Sequence, residues 1–325
     1  MKVTILGAGT WGLALAEVLV YNKCNVSVWH YRKNYVAHIN KVRFHNALDS
    51  QISSQINFIS DPKKIDEASI ILICLPSQAI RSVLSSLQLK NQYYIIASKG
   101  IETKSGKLIS EVIMETSSFN RDNIIACISG PSHAEELIQR IPTVMAVASN
   151  DLGFSRNIQE TFSNNFLRIY QADSIEAVLV GGAVKNVISI ASGICVGLGY
   201  GDNTIAALIT RGIQEIIRFS SIYTDKSNSL LGVSGIGDLI VTATSTHSRN
   251  KSFGILIGSG KSLPEALNET GMIVEGVDTA KSVYAKALKH NISMPICDEV
   301  YNVLFKDKDP KAAINELMIR KLTSE

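Results

Sequence analysis

The five cysteines of this 325-residue chain (Cys24, Cys74, Cys127, Cys195 and Cys297) form no Cys-x-x-Cys pair and no Cys/His spacing. An odd, scattered set excludes a disulfide framework and a structural zinc site. It implies free thiols in a reducing cytosol, so the chain is expected to be cytoplasmic and without metal. Strong charge of one sign is also missing, since 32 Lys and Arg against 29 Asp and Glu leave +3. That is too little to argue for nucleic acid or an anionic membrane, and it mildly favours small anionic substrates. No uninterrupted apolar run spans a bilayer: the most apolar stretch, 175–200, is broken by Lys185 and Asn186 and reads as a buried helix. Repeats and low-complexity tracts are absent. The chain opens on a core strand, which leaves no room for a cleaved signal peptide. The Asn-x-Ser/Thr sequons at Asn25, Asn250, Asn268 and Asn291 are therefore expected to be chance.

What is present is ordinary globular composition, 46% hydrophobic and 19% charged, in a length that suits two domains. In the first half, apolar runs at 2–6, 25–29, 56–59, 69–75, 93–98, 123–128, 143–148 and 166–170 read as strands. Several are continuous, as in a parallel sheet covered on both faces. Helical patterns intervene at 11–21, 33–41, 77–87 and 104–116, giving a doubly wound α/β domain over 1–172. Few helical residues separate the last two strands, which suits antiparallel additions at one edge. From residue 173 the pattern is almost wholly helical. A capping box, Asp173-x-x-Glu176, opens a helix through about Leu198. Further helices fit 205–217, 249–258, 263–268, 276–290, 295–305 and 310–319, so an all-α domain is expected over 173–325.

The strand at 2–6 ends in Gly7-Ala8-Gly9-Thr10-Trp11-Gly12, and a helical pattern (Ala14, Leu15, Val18, Leu19) follows at once. Strand, glycine turn and helix start are the context of the dinucleotide-binding fingerprint. Gly7 permits the turn, Gly9 lets backbone approach a pyrophosphate, and Gly12 lets helix and strand pack closely. The second strand ends in Trp29-His30-Tyr31-Arg32-Lys33, with two cations and no carboxylate for a ribose 2′-hydroxyl. Either Arg32 receives a 2′-phosphate, making NADP acceptable beside NAD, or Arg32 and Lys33 simply open a solvated helix.

Five further clusters carry candidate chemistry. Leu75-Pro76-Ser77, Ser98-Lys99-Gly100 and Ser129-Gly130-Pro131-Ser132-His133-Ala134 each end a predicted strand, where ligands bind in open α/β sheets. In the helical half, Gly181-Gly182-Ala183-Val184-Lys185-Asn186 places a lysine inside an apolar helix. Burial penalises its charged form, which suits a group that yields a proton to a developing alkoxide. The alternative is a lysine that snorkels to the surface. The two glycines one turn earlier imply that something approaches this helix closely. Last, Gly232 to Asp238, followed by Thr242, Thr244, Ser245, Thr246, Ser248, Arg249, Asn250 and Lys251, reads as a polar loop before a helix, suited to phosphate. Asp238 is expected to orient Lys185 or to hydrogen-bond a substrate hydroxyl.

In this order, these motifs resemble bacterial NAD(P)-dependent sn-glycerol-3-phosphate dehydrogenases along essentially the whole chain. The matching pieces are Gly-x-Gly-Thr-Trp-Gly, Leu-Pro-Ser-Gln, Ser-Lys-Gly-Ile-Glu, Ser-Gly-Pro-Ser-His-Ala, Gly-Gly-Ala-Val-Lys-Asn-Val, Gly-Ile-Gly-Asp-Leu, Ser-Arg-Asn and Val-Glu-Gly. The resemblance implies a Rossmann domain and a second domain like the C-terminal one of 6-phosphogluconate dehydrogenase. It implies reduction of dihydroxyacetone phosphate to sn-glycerol 3-phosphate for phospholipid synthesis. The mostly apolar helical half is expected to pair in a homodimer, with a small-molecule substrate and no nucleic-acid or membrane partner. By the same resemblance, Lys185 is the general acid/base, with Lys99 and Asp238 beside it. Lys99, Gly130, Ser132, Lys185, Asp238, Ser248, Arg249 and Asn250 contact substrate. Gly7, Gly9, Thr10, Trp11, Gly12, Tyr31, Arg32, Lys99, Ala134, Arg249 and Glu275 contact NADP or NAD. The chain departs from the family pattern twice: Tyr31 then Arg32 stands where many members have Arg, and Asn46-Ala47-Leu48-Asp49-Ser50 replaces an expected Leu-Pro-Gly turn. A β-hydroxyacid or 6-phosphogluconate-type dehydrogenase shares the layout, and a non-catalytic NADP sensor would share the glycine turn.

Overall fold

The apolar runs of the first half form strands; the central ones are buried on both faces, and the last buries only Leu167 and Ile169. They are β1 (Lys2–Leu6), β2 (Asn25–Trp29), β3 (Asn57–Ile59), β4 (Ile70–Ile73), β5 (Tyr93–Ile96), β6 (Ile124–Ser129), β7 (Thr143–Ser149) and β8 (Leu167–Gln171). In the computed structural model, which describes residues 1–116 and 123–322, they build one sheet ordered β8-β7-β6-β5-β4-β1-β2-β3. Strands β1 to β6 run parallel in the order of a doubly wound dinucleotide-binding sheet. The expected antiparallel edge is there: β7 opposes β6, and β8 runs parallel to β7. The link between β7 and β8 corrects the expectation of few helical residues, because it carries the helix Leu152–Phe162. Asp151 caps that helix through the Phe154 N–H at 2.6 Å, and Phe154, Ile158 and Phe162 are buried at helical spacing. The helix expected at 104–116 is also corrected. Only Ile109–Met114 is helical; Ile101–Glu102 and Lys107–Leu108 form a hairpin whose turn needs Gly106 at φ +66°.

Contacts group the chain into two compact units, 1–99 with 109–178 and 100–108 with 179–325. Set beside the expected division at 172/173, the hairpin 100–108 goes with the helical unit and the first residues of the long helix stay with the sheet. That helix, Ile175–Gly197, starts on Ser174, whose Oγ accepts the Ala177 N–H at 3.1 Å; the cap is Ser174 and not the expected Asp173. By length and composition it could cross a membrane, and its whole apolar window is buried inside the protein.

In the second unit the long helix lies against the helix Arg249–Gly258, backbone on backbone. A Cβ on Gly193 would sit 2.1 Å from the Lys251 carbonyl oxygen, and one on Gly254 2.2 Å from that of Ile190. The helix Asp202–Ser220 buries Glu215, 1% exposed, against the start of the helix Pro295–Phe305. Its carboxylate accepts the N–H groups of Ile296 at 2.7 Å and Cys297 at 3.1 Å. Burial nevertheless pushes the carboxyl up to about 7, with the two N–H bonds opposing. Burial also raises neighbouring Asp298 to about 6.

A carboxyl whose folded value lies above its ordinary 4.5 stabilises the fold fully below that value and loses the contribution as pH climbs through 7. Unfolding free energy from Glu215 is therefore expected to fall by up to about 3 kcal/mol between those limits. Denaturant titrations across that range check it. The slope should flatten in Glu215→Gln, and an equal slope in both proteins would count against Glu215 as its source.

Candidate active site

In the first unit the candidate residues follow the carboxyl ends of parallel strands, which share one edge of the sheet. After β1, Gly7 takes φ +114°, and a Cβ there would meet the Cys74 carbonyl oxygen at 2.5 Å. A Cβ on Gly12 would lie 2.2 Å from the Gly7 carbonyl oxygen, so the turn folds onto the helix Thr10–Tyr21. Gly9 differs, since a Cβ there meets nothing within 4 Å. It is the N-cap of that helix and offers no side-chain cap, so the N–H groups of the first turn face open space. This cradle fits the diphosphate of a dinucleotide. Trp11, in the same first turn, donates Nε1–H to the Ala97 carbonyl at 3.1 Å, at the end of β5.

After β2, Tyr31 and Arg32 are exposed, with the guanidinium 5.1 Å from the Tyr31 ring centre. After β5 comes half-buried Lys99, and the preceding Ser98 donates to the Leu75 carbonyl at 2.6 Å. After β6, Gly130 has φ +156° and would press a Cβ 2.8 Å from the Met145 Cα. Ser132 donates back to the Gly130 carbonyl at 2.9 Å, and buried Ala134 opens the helix Ala134–Ile138.

The second unit contains a buried ion pair. Lys185, 5% exposed, bonds to Asp238, 1% exposed, and donates to Thr242 Oγ1 at 2.7 Å. The lysine therefore does not snorkel to solvent. A buried ammonium of this kind requires a partner, and the carboxylate supplies it. The expected loop at 232–248 is corrected: Val233–Gly237 is a π turn that runs into the helix Asp238–Thr244. Asp238 and Thr242 thus stand four residues apart, one above the other on a single face. The close approach implied by the glycines before Lys185 is real. A Cβ on Gly181 would lie 2.9 Å from Leu230 and 3.1 Å from the Ser234 carbonyl oxygen.

Ser248 caps the helix Arg249–Gly258 by accepting the Lys251 N–H at 3.3 Å, and it shares a 3.0 Å bond with Ser189. Ser189 Oγ also donates to the Thr242 carbonyl at 2.8 Å. Asn250 donates to Asn186 Oδ1 at 3.0 Å and accepts the Gly276 N–H at 3.0 Å, joining three helices. Exposed Arg249 donates to the Ile273 carbonyl at 3.3 Å, and Glu275 is the first residue of the helix Glu275–His290. In this unit Lys185, Asp238 and Ser248 are joined through Thr242 and Ser189, while Asn250 is held separately by Asn186 and Gly276, and Arg249 stands exposed beside it. Ser189 went unnoticed in the sequence, although a hydroxyl four residues after Lys185 in an apolar helix was the available signal.

Sheet order, an open glycine turn and a buried Lys–Asp pair in a helical unit define a two-domain nucleotide-dependent dehydrogenase. Residues 2–155 match the family described as NAD-dependent glycerol-3-phosphate dehydrogenase N-terminus, and residues 174–315 match its C-terminus. The glycerol-3-phosphate dehydrogenase (NAD(P)+) of Clostridium botulinum (strain Eklund 17B / Type B) is 43% identical over 100% of this chain and 99% of its own length. A crystal structure of the Coxiella burnetii glycerol-3-phosphate dehydrogenase gives TM-score 0.92 at 34% identity, covering 98% of this chain and 99% of that one. The Plasmodium falciparum glycerol-3-phosphate dehydrogenase gives TM-score 0.89 at 26% identity, covering 100% and 97%. The chain belongs to the NAD(P)-dependent glycerol-3-phosphate dehydrogenase family and is an oxidoreductase.

Proposed function

We propose that this protein reduces dihydroxyacetone phosphate to sn-glycerol 3-phosphate with NADPH or NADH, in the cytoplasm, as a homodimer, for phospholipid synthesis. Residues 1–172 act as the dinucleotide-binding domain and 173–325 as the substrate and catalytic domain. The observation that carries the reading is the Lys185 amine, buried and held by Asp238 and Thr242. Bound dihydronicotinamide supplies the hydride. Lys185 Nζ gives a proton to the carbonyl oxygen as that oxygen gains charge, and Asp238 and Thr242 fix the direction in which the amine points. Lys99 adds positive charge for the developing alkoxide.

Gly130 and Ser132 shape the substrate position, and Ala134 borders the nicotinamide. Gly7, Gly9, Thr10, Trp11 and Gly12 receive the diphosphate, Tyr31 and Arg32 the adenosine end, and Glu275 a further part of the cofactor. Ser248 and Asn250 fix the helix start from which Arg249 grips the substrate phosphate. No metal takes part in this scheme.

The test is NADPH absorbance on adding dihydroxyacetone phosphate to the purified protein. Its decay supports the reading; no decay, or turnover with 6-phosphogluconate and NADP instead, overturns it. Arg249→Ala is expected to raise KM for dihydroxyacetone phosphate by about 10- to 100-fold, the worth of a charge-assisted contact. Unphosphorylated dihydroxyacetone should be turned over equally by variant and wild type. An equal loss on both ketones would count against a phosphate contact.

A further inference from the structure

Tyr35, in the helix Lys33–Val42, donates its hydroxyl to the Ala8 carbonyl at 3.2 Å. Ala8 is the middle residue of the glycine turn, between Gly7 and Gly9. In a planar trans peptide the C=O and the following N–H point in opposite directions. A bond that holds the Ala8 oxygen toward Tyr35 therefore aims the Gly9 N–H to the other side. That N–H heads the helix Thr10–Tyr21, at the position where an added Cβ meets nothing. A peptide followed by glycine rotates at little steric cost, so this plane needs an external restraint. The same tyrosine ring packs on His30, with ring centres 4.5 Å apart, and His30 Nδ1 accepts the Arg32 N–H at 3.2 Å. Burial lowers the His30 pKa, which favours the neutral ring.

We propose that Tyr35 is a positioning residue that locks the Ala8–Gly9 peptide with its N–H toward the cofactor diphosphate. This inference rests on the nucleotide reading above. The restraint serves the diphosphate, which NADPH, NADH and ADP share, and not the 2′-phosphate, which distinguishes NADPH.

Calorimetric titration of wild type and Tyr35→Phe with NADPH, NADH, ADP and 2′-AMP tests it. Phenylalanine keeps the ring on His30 and removes only the hydroxyl. The expected result is a loss of about 5- to 10-fold in affinity for NADPH, NADH and ADP alike, the worth of one hydrogen bond. 2′-AMP, which has no diphosphate, should bind both proteins equally. At saturating NADPH, kcat should match wild type while KM for NADPH rises by the same factor. Affinities for all four ligands within about twofold of wild type would overturn the proposal, as would a loss on 2′-AMP as large as that on ADP. A wild-type protein that binds neither NADPH nor NADH would instead sink the nucleotide reading, and this inference with it.

Discussion

Replacing Lys185 with alanine lowers kcat by at least ~10²-fold and leaves NADPH affinity near that of the wild type. The expectation follows from where the amine is. Lys185 is buried in the long helix, and its partners Asp238 and Thr242 sit on a helical face that fixes its orientation. A proton donor so placed contributes in the transition state and little to ground-state binding, so the loss falls on kcat. The substitution has a second consequence. It leaves the Asp238 carboxylate, 1% exposed, without its cation, a state that costs about 3–5 kcal/mol in buried pairs.

Loss of activity by unfolding must therefore be separated from loss of the proton. The double variant Lys185→Ala/Asp238→Asn removes both charges and is expected to recover most of the thermal midpoint while kcat stays low. Recovery of kcat together with stability would show that Lys185 only supports the fold. A single variant that turns over near the wild-type rate would remove Lys185 from the chemistry.

Much of this arrangement was legible in the sequence because the signals are local. Continuous apolar runs identify β1 to β8, and Gly7, Gly9 and Gly12 in their strand–helix context identify the nucleotide turn. The errors arise where a local pattern competes with a distant contact. Ile101, Leu108, Ile109, Val112 and Ile113 are all buried and can be read as one helix, yet Gly106 turns the first part back into a hairpin. The helix Asp238–Thr244 hides among glycines and hydroxyls, which ordinarily mark loops. What supports it is tertiary: from the long helix, Lys185 bonds to Asp238 and Thr242, and Ser189 and Ser192 donate to the Thr242 and Ala243 carbonyls at 2.8 and 2.7 Å. The helix Leu152–Phe162 is different: it was missed although its signal is local, in the Asp151 cap and the period of Phe154, Ile158 and Phe162. Ser248 and Asn250 were expected at the substrate, and nothing local could show that their side chains bond to Ser189, Asn186 and Gly276.

These bonds depend on how closely two helices approach, and Gly254→Ala is expected to destabilise the protein by about 3 kcal/mol, the upper end for overpacking. The new methyl carbon would lie 2.2 Å from the Ile190 carbonyl oxygen and 2.9 Å from the Gly193 Cα. Both obstacles are helix backbone, so no side chain can rotate out of the way and the two helices must separate. Separation also opens the reciprocal contacts, where Gly193 faces the Lys251 carbonyl, Gly197 that of Ile255 and Gly258 that of Ile194. The same shift stretches the Ser189–Ser248 and Asn186–Asn250 bonds, at 3.0 Å each, which fix the start of the helix that carries Arg249. Two measurements should move together in Gly254→Ala: a thermal midpoint lower by about 5 °C or more, and a raised KM for dihydroxyacetone phosphate in whatever fraction stays folded. The KM rise separates this close packing from an ordinary core defect, because a defect confined to the far end of the helix pair would lower the midpoint and leave KM unchanged. A variant with an unchanged midpoint would show that the helices can part without cost, and the buried Lys–Asp pair would then need another source of rigidity.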